Sequence, residues 1–364
     1  MRILAYMGHP AHFHLLKNAI LNLQKKGHET LVLIQTKDIL ERLLKGAGIE
    51  YQNVLVERRK DHPVSIALSL LSKDWHMIKL AKKFKPDLLV GTSVEITHVG
   101  KFIGRPSVVV NEDDWDYIPR FANMGYPFAS TILLPDNCRA GKWQHKVVNY
   151  RSYHELAYLH PNHFVPDKTI AQPLYGDRDR YYILRFVHLG GHHDEGKQGI
   201  HKELGLRIVN RLEEYGKVHI TSERELEPEF EPYRISINPL DIHHAMYFAD
   251  MYIGDSQSMA MEASVLGTPS IRFNDFAGDI SVLEELEHTY HLAVGIRTAY
   301  PDKLFAKLEE YLTTPDIVPQ FKQRRERLVK EKIDYAAFLT WFLENYPESE
   351  RQMREKPELQ NRFA

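Results

Sequence analysis

Three histidines with the spacing His-x-x-His-x-His lie close to the start of the chain, at His9, His12 and His14. They sit where a predicted strand gives way to a predicted helix. A helix N-terminus disfavours the protonated form of histidine, which keeps the ring available as a base at neutral pH. The spacing is not the i, i+4 pattern of a zinc site on a helix face, so a shared metal ion would need loop geometry. The cluster therefore predicts a general base, with helix capping as the alternative.

A second group of polar residues lies in "DSQSMAME" (255–262), where another predicted strand ends and a helix begins. Ser256, Gln257 and Ser258 lie at the expected helix start, where free backbone N–H groups and hydroxyls attract phosphate. Glu262 follows Ser258 by one helical turn, and a carboxylate can accept hydrogen bonds from both hydroxyls of a ribose. The pattern predicts a nucleotide site, and a plain capping box around Ser258 is the alternative.

Acidic residues cluster after a further predicted strand, within "VNEDDWD" (110–116). Neighbouring carboxylates raise one another's pKa, which makes Glu112 and Asp113 candidates for general acid–base catalysis. The alternative is that these side chains cap the next helix.

Other predicted strand ends also present polar groups. The loop "LRFVHLGGHHDEGKQG" (184–199) contains two glycines, which allow close approach of a ligand to the backbone, and then His192 and His193. Ser222 ends one strand, and Asn274 follows another and could reach sugar hydroxyls. Turn and capping roles explain these residues equally well.

Short apolar strands alternate with longer amphipathic stretches, which is typical of parallel sheets covered by helices on both faces. The predicted strands span residues 2–7, 29–35, 51–56, 87–92, 106–112, 130–135, 181–187, 217–222, 234–237, 251–256, 269–274 and 292–296. The pattern predicts two tandem doubly wound, Rossmann-like α/β domains. Ligands of such sheets bind at the carboxyl ends of the strands, and we expect those ends to face a cleft.

The expected domain bounds follow from the same pattern. Residues 1–150 form the first domain and 181–318 the second. Residues 151–180 connect them, and 319–364 form a C-terminal helix with a charged, frayed tail.

The composition is that of a soluble globular protein, with 43% hydrophobic and 26% charged residues. A net charge of −2 gives no global field that favours nucleic acid. The single Cys138 excludes an internal disulfide, and neither a signal peptide nor a membrane-spanning segment is recognisable, so we expect a cytoplasmic protein. These totals leave peripheral contact with a membrane open.

Residues 251–274 resemble the donor-site segment of GT-B glycosyltransferases and UDP-N-acetylglucosamine 2-epimerases, written roughly D-S-G-G-x-x-E-E-A-x-x-L-G-x-P. The matching residues are Asp255, Ser256, Glu262, Ala263, Leu266, Gly267 and Pro269. Gln257 and Ser258 replace the two glycines, which narrows the space for a diphosphate.

The wider pattern is similar to a GT-B-like group known as domain of unknown function 354. The resembling segments are residues 9–29, 82–91, 152–167, 184–196 and the donor-like segment. This resemblance implies a GT-B fold, with His192 or His193 on the donor diphosphate. It also implies that His12, which matches a Gly-His pair of inverting enzymes with Ala11 in place of Gly, deprotonates the acceptor. His14 is the reserve candidate.

These features lead to three hypotheses. The first is a glycosyltransferase that moves a sugar from a nucleotide-sugar donor, expected to be UDP-linked, to a glycan or lipid-linked acceptor in surface polysaccharide synthesis. No metal or other cofactor is expected, because helix dipoles can stabilise the leaving diphosphate. The second is a UDP-N-acetylhexosamine 2-epimerase-like enzyme, with Glu112, Asp113 and Asp114 as candidates for its acid and base, although the missing Gly-Gly counts against it. The third is a non-catalytic nucleotide-sugar-binding module.

Overall fold

The computed structural model describes residues 1–35, 39–55, 63–187, 199–222 and 224–364, and gives the backbone alone for residues 55 and 63–71. The strands in this part of the chain are β1 (Arg2–Met7), β2 (Glu29–Gln35), β3 (Tyr51–Leu55), β4 (Leu88–Gly91), β5 (Ser107–Val110), β6 (Thr131–Pro135), β7 (Val147–Tyr150), β8 (Tyr181–Phe186), β9 (Lys217–Ser222), β10 (Met251–Gly254), β11 (Ser270–Phe273) and β12 (Val294–Ile296). The helices are α1 (Pro10–Lys25), α2 (Leu40–Gly46), α3 (Pro63–Phe84), α4 (Val94–Ile103), α5 (Pro119–Gly125), α6 (Leu156–Leu159), α7 (Lys168–Tyr175), α8 (Lys202–Glu213), α9 (Ile242–Phe248), α10 (Gln257–Val265), α11 (Ser281–His288), α12 (Pro301–Thr313), α13 (Ile317–Glu331), α14 (Tyr335–Glu344) and α15 (Glu348–Glu355).

The chain forms two compact units. The first comprises residues 1–163 and 332–364, and the second comprises residues 164–331. The segment expected to connect two domains is thus divided, with α6 in the first unit and α7 in the second. The C-terminal helices return to the first unit because α14 is apolar, with Phe338, Leu339 and Phe342 fully buried.

The sheet of the first unit has the order β3-β2-β1-β4-β5-β6-β7, and all its strands are parallel. Strands β4, β5 and β6 are buried along their whole length, as their apolar sequences predict. Strand β7 was not predicted, because its four residues stand among polar and aromatic ones. The strand order reverses direction between β1 and β4, which is where ligands of such sheets bind.

The sheet of the second unit is also parallel, with the order β12-β11-β10-β8-β9. Its order reverses between β8 and β10. The strand predicted at 234–237 is wrong: this segment makes one isolated bridge, from Arg234 to Ile220. Pro232 and Pro239 flank it and cannot donate to a ladder, which leaves too few residues for a strand.

The C-terminal tail is ordered, contrary to the expectation that it frays. After α15 a 3-10 helix spans Pro357–Phe363. The Phe363 ring packs edge-on against Phe338 at 5.8 Å, and Gln360 Oε1 accepts a hydrogen bond from the backbone of Arg151 at 2.6 Å. Aromatic and backbone contacts within the first unit thus order the C-terminal tail, although its charged composition predicts a frayed segment.

Asp334 ties the start of α14 to the segment before residue 164. Its carboxylate accepts hydrogen bonds from His163 Nε2 at 2.7 Å, Asn162 Nδ2 at 2.9 Å and the Ala337 N–H at 3.0 Å. Burial alone raises the pKa of Asp334, but these donors outweigh it and lower the pKa to about 2.

Replacing Asp334 by Ala should lower the free energy of unfolding by about 2–4 kcal/mol, because a helix cap and the buried acceptor of two side-chain hydrogen bonds are lost together. Since the folded-state pKa is lowered, this stabilisation is complete above the ordinary carboxyl pKa and is lost as pH falls toward 2. Urea denaturation at several pH values measures both effects. The control is Glu50→Ala at an exposed position, for which we expect a change within about 0.5 kcal/mol; an equal loss in both variants would contradict the assignment.

Candidate functional site

Helix α10 begins at the carboxyl end of β10, beside the reversal of strand order in the second sheet. Ser256 is extended and caps the helix, with its Oγ accepting from the Met259 N–H at 3.3 Å. The alternative of a capping box around Ser258 is therefore wrong: Ser258 lies in the first turn with its side chain exposed, and Gln257 is half-buried beside it. The first backbone N–H groups of α10 and the Ser258 hydroxyl can therefore donate hydrogen bonds to a bound anion.

Glu262 lies one turn further along α10 and is held by a histidine. Its Oε1 is 3.0 Å from His243 Nε2, and the two side chains are only 12% and 9% exposed. His243 belongs to α9, and its ring meets Phe164 edge-on at 6.4 Å. A carboxylate has two oxygens, each of which can accept more than one hydrogen bond, so its chemistry suits contact with hydroxyl groups.

Asp255 joins two segments that flank residues 188–198. Its Oδ1 accepts from the Val187 N–H at 2.9 Å and its Oδ2 from the Ile200 N–H at 3.1 Å. A Cβ atom at Gly199 would lie 2.5 Å from Oδ2, so glycine is needed for this close approach. Burial raises the pKa of Asp255 to about 6, and the two backbone bonds oppose that rise. His192 and His193 lie outside the described residues.

Replacing Asp255 by Ala should lower the free energy of unfolding by about 2–4 kcal/mol, because two backbone N–H groups lose their acceptor. Asp255→Asn should cost less, since the amide keeps one acceptor oxygen. Urea denaturation measures both, with Glu225→Ala at an exposed position as the control. Because the folded-state pKa of Asp255 is raised, wild-type stability should also fall as pH rises from about 4 through 6, and this slope should weaken in Asp255→Asn. An alanine variant as stable as the control would contradict the clamp.

Two other predicted binding residues are engaged in local structure. Ser222 Oγ donates to the Arg224 carbonyl at 2.8 Å and accepts from the Arg224 N–H at 3.1 Å. Asn274 is 1% exposed; its Nδ2 donates to the Asp255 carbonyl and its Oδ1 accepts from the Phe276 N–H. The structure therefore gives Asn274 a positioning role, in contrast to the expected direct contact with sugar hydroxyls.

In the first unit the three histidines near the start of α1 have separate roles. His9 caps the helix by accepting from the Ala11 N–H at 3.2 Å, so for this residue the capping alternative holds. The His14 ring packs against Tyr158, with centroids 5.0 Å apart. His12 Nδ1 accepts from the Gly8 N–H at 3.2 Å, so the neutral ring carries its hydrogen on Nε2. In this arrangement Nε2 is a hydrogen-bond donor, and action as a base there would require His12 to give up the Gly8 bond.

The acidic cluster after β5 is built around Glu112 and a histidine that follows β7. Glu112 Oε2 accepts from the His154 N–H at 3.1 Å, and its Oε1 is 3.2 Å from His154 Nδ1. His154 Nε2 is buried and has no hydrogen-bond partner among the described residues. Asn111 shapes the turn by accepting from the Glu112 N–H at 2.9 Å. Sequence patterns identified Glu112 but gave no signal for His154.

Asp113 stands next to this pair and has the perturbed acidity expected of an acid–base group. Burial, followed by the charge of Glu112, raises the pKa of Asp113 to about 6, and His154 opposes that rise. Asp114 has a different role, because it is buried and accepts from the Arg139 N–H at 2.9 Å. A carboxyl group with a pKa of about 6 can exchange a proton near neutral pH, which makes Asp113 a candidate for acid–base chemistry.

Polar groups also meet where the strand order of the first sheet reverses. Thr92 Oγ1 and Ser93 Oγ follow β4, and both are buried without a hydrogen-bond partner in the part of the chain that the structure describes. Ser93 occupies the N-cap position of α4 but its side chain makes no capping bond. Glu95, two residues after Ser93, forms an ion pair with Lys73, with 2.5 Å between Oε1 and Nζ. Unsatisfied buried hydroxyls at such a position can receive polar groups of a ligand.

The two parallel sheets with interleaved helices define a GT-B-like α/β fold. The chain belongs to the family described as "Protein of unknown function (DUF354)", whose model matches residues 2–278. No curated protein matches the chain.

Solved structures of nucleotide-sugar enzymes share this fold. The Neisseria meningitidis UDP-GlcNAc 2-epimerase bound to UDP-GlcNAc is 16% identical, with a TM-score of 0.63 over 97% of this chain and 100% of that one. The S. aureus MnaA–UDP complex is 14% identical, with a TM-score of 0.66 over 97% and 96%. The glycosyltransferase SsfS6 of Streptomyces sp. SF2575, complexed with thymidine diphosphate, is 14% identical, with a TM-score of 0.60 over 95% and 100%. At these identities the likeness shows the fold.

Proposed function

We propose that this protein is a GT-B-type glycosyltransferase that moves a sugar from a nucleotide-sugar donor, UDP-linked, to a glycan or lipid acceptor in surface polysaccharide synthesis. The observation that carries the proposal is the position of Glu262 on α10, the helix that begins beside the strand-order reversal of the second sheet, where His243 of α9 holds its carboxylate. A carboxylate held there could accept hydrogen bonds from the ribose hydroxyls. The first backbone N–H groups of α10, about one turn earlier on the helix, could bind the diphosphate.

The second unit would hold the donor. The first N–H groups of α10 and the Ser258 hydroxyl would bind the diphosphate, with His192 and His193 as further predicted contributors. Glu262 would accept the ribose hydroxyls, and Ser256 would keep the helix start in place. Nucleotide diphosphates in the MnaA and SsfS6 complexes support this class of ligand.

The first unit would activate the acceptor. Asp113, ionised at neutral pH, would take the proton of an acceptor hydroxyl as its oxygen attacks the anomeric carbon. The bond from that carbon to the diphosphate breaks, and its electron pair leaves with the nucleotide. His12 would donate a hydrogen bond from Nε2 to a substrate oxygen, and the hydroxyls of Thr92 and Ser93 would orient the acceptor. His14 remains the reserve candidate.

The second candidate function is a 2-epimerase-like reaction on a UDP-N-acetylhexosamine. The close grouping of Asp113 with the Glu112–His154 pair favours it, because removal and return of a proton at C2 needs acid–base groups of this kind. The same grouping also serves glycosyl transfer, so the reaction products must decide.

Incubation with UDP-, GDP- and CMP-sugars, with and without glycan or lipid acceptors, followed by mass spectrometry, tests both functions. Transfer that requires an acceptor supports the glycosyltransferase. An isomerised sugar nucleotide without any acceptor, resolved by chromatography, supports the epimerase and contradicts the first proposal. Nucleotide binding without turnover of any sugar nucleotide would leave the non-catalytic module.

A further inference from the structure

The first unit exposes several large apolar side chains on neighbouring helices. Trp75 of α3 is 53% exposed and Phe102 of α4 is 59% exposed, while Met124 of α5 and Phe128 just after it are each 44% exposed. Single exposed apolar residues are ordinary on a protein surface, so their meaning depends on whether they adjoin one another.

Contacts connect these residues into one surface. Lys79 Nζ lies 5.5 Å from the Trp75 ring centroid, and Lys82 Nζ, one turn further along α3, lies 5.2 Å from that of Phe102. Lys101 and Arg105, which flank Phe102 along the chain, line a surface depression together with Phe128 and Lys146. The basic aromatic surface is defined here as Trp75, Lys79, Lys82, Lys83, Lys101, Phe102, Arg105 and Phe128.

The charge of this surface is strongly positive, although the whole chain has a net charge of −2. Residues 72–105 contain seven lysines and arginines against three carboxylates. Two of these carboxylates are paired and largely buried, Asp74 with His98 at 3.0 Å and Glu95 with Lys73 at 2.5 Å. The third, Asp87, accepts the Arg2 N–H. All three carboxylates within residues 72–105 are therefore engaged with other groups than the exposed lysines of this surface.

We propose that the basic aromatic surface binds the headgroup region of an anionic lipid membrane. Aromatic rings are favoured at a membrane interface, and lysine side chains can lay their apolar stems beside them while the ammonium groups reach lipid phosphates. No helix among the described residues is long and apolar enough to cross a membrane. Binding at this surface would be peripheral. Each aromatic ring would enter the membrane interface, and the lysine beside it would attract lipid phosphates.

The position of the surface separates it from the candidate catalytic residues. Phe102 and Arg105 lie before β5, and Phe128 lies before β6, so they adjoin the amino ends of these parallel strands. Glu112 and Asp113 follow the carboxyl end of β5, at the opposite edge of the same sheet. The inference consequently stands on this surface alone and does not depend on the proposed reaction.

Co-sedimentation with vesicles tests the inference. The full chain is mixed with vesicles of phosphatidylcholine alone and of phosphatidylcholine with phosphatidylglycerol. The wild type should partition onto the anionic vesicles and much less onto the neutral ones, and added salt should weaken this binding. Lys82→Gln/Lys83→Gln should lower the partition coefficient by about 25-fold, at about fivefold for each cation.

A matched pair of variants separates this surface from general stickiness. Trp75→Ala/Lys79→Gln should lower anionic vesicle binding by at least about fivefold, from the lost cation alone. The control, Tyr300→Ala/Lys303→Gln, removes an equally exposed ring with a lysine 4.4 Å above it in the second unit, and should bind like the wild type. Circular dichroism melting confirms that each variant is folded. The inference would be overturned if the wild type bound neutral vesicles as well as anionic ones, or bound no vesicles, or bound only nucleic acid or acidic protein. It would also be overturned if the control variant lost as much vesicle binding as the Trp75/Lys79 variant.

Discussion

Replacing Asp113 by Asn should lower turnover of the nucleotide sugar by about 10²- to 10⁴-fold, while the Kd for UDP stays within a factor of about two. The amide cannot accept a proton, but it keeps the shape of the side chain. Because Asp113 is proposed to act in its ionised form, kcat/KM of the wild type should rise with pH through about 6 and then level off. Mass-spectrometric rates across pH and calorimetric titration with UDP measure the two effects.

Asp116 provides the matched control, because it is a carboxylate three residues further along with a side chain that is 48% exposed. Asp116→Asn should keep both the rate and the pH limb. His154→Ala should move the limb to higher pH, since His154 opposes the rise in the pKa of Asp113. An Asp113→Asn enzyme with wild-type turnover and an unchanged pH profile would remove Asp113 from the mechanism.

Replacing Glu262 by Ala should weaken UDP binding by about 10- to 100-fold, which corresponds to the loss of hydrogen bonds to a charged acceptor. The sharper readout is discrimination against 2′-deoxy-UDP. The wild type should bind UDP more tightly than the deoxy analogue. Glu262→Ala should bind the two equally, because it lacks the carboxylate that is proposed to accept the ribose hydroxyls. Calorimetry measures all four affinities.

His243→Ala should produce an intermediate loss in the same titrations, since Glu262 remains but its orienting donor does not. Glu225→Ala, at an exposed position of the same unit, should bind both ligands like the wild type. If Glu262→Ala kept the full preference for ribose over deoxyribose, the contact with the nucleotide would have to be assigned elsewhere.

The sequence was sufficient to predict the fold, because apolar runs such as residues 2–7 and 131–135 favour buried strands when they alternate with amphipathic helices. It failed where a short segment depends on its neighbours. Strand β7 exists because residues 147–150 pair with β6, and the similar run at 234–237 has prolines on both sides and pairs at a single bridge. Likewise, the charged tail is ordered by Phe338 and Arg151, which lie far away in sequence.

The candidate site shows the same division. Glu262 and Asp113 were recognisable because their chemistry depends on local spacing after a strand. Their partners were not, since His243 is 19 residues from Glu262 and His154 is 42 residues from Glu112. The hydrogen-bond donor role proposed for His12 also needed the structure, because only the Gly8 contact fixes which ring nitrogen carries the hydrogen.

Isothermal titration of the wild-type protein with UDP tests the central claim most directly. We predict saturable binding with one nucleotide per chain, because the proposed site at the start of α10 and Glu262 would hold one diphosphate and one ribose. The absence of binding heat for UDP at several temperatures, together with no shift of the melting temperature in its presence, would contradict a UDP-linked donor and the account built on it.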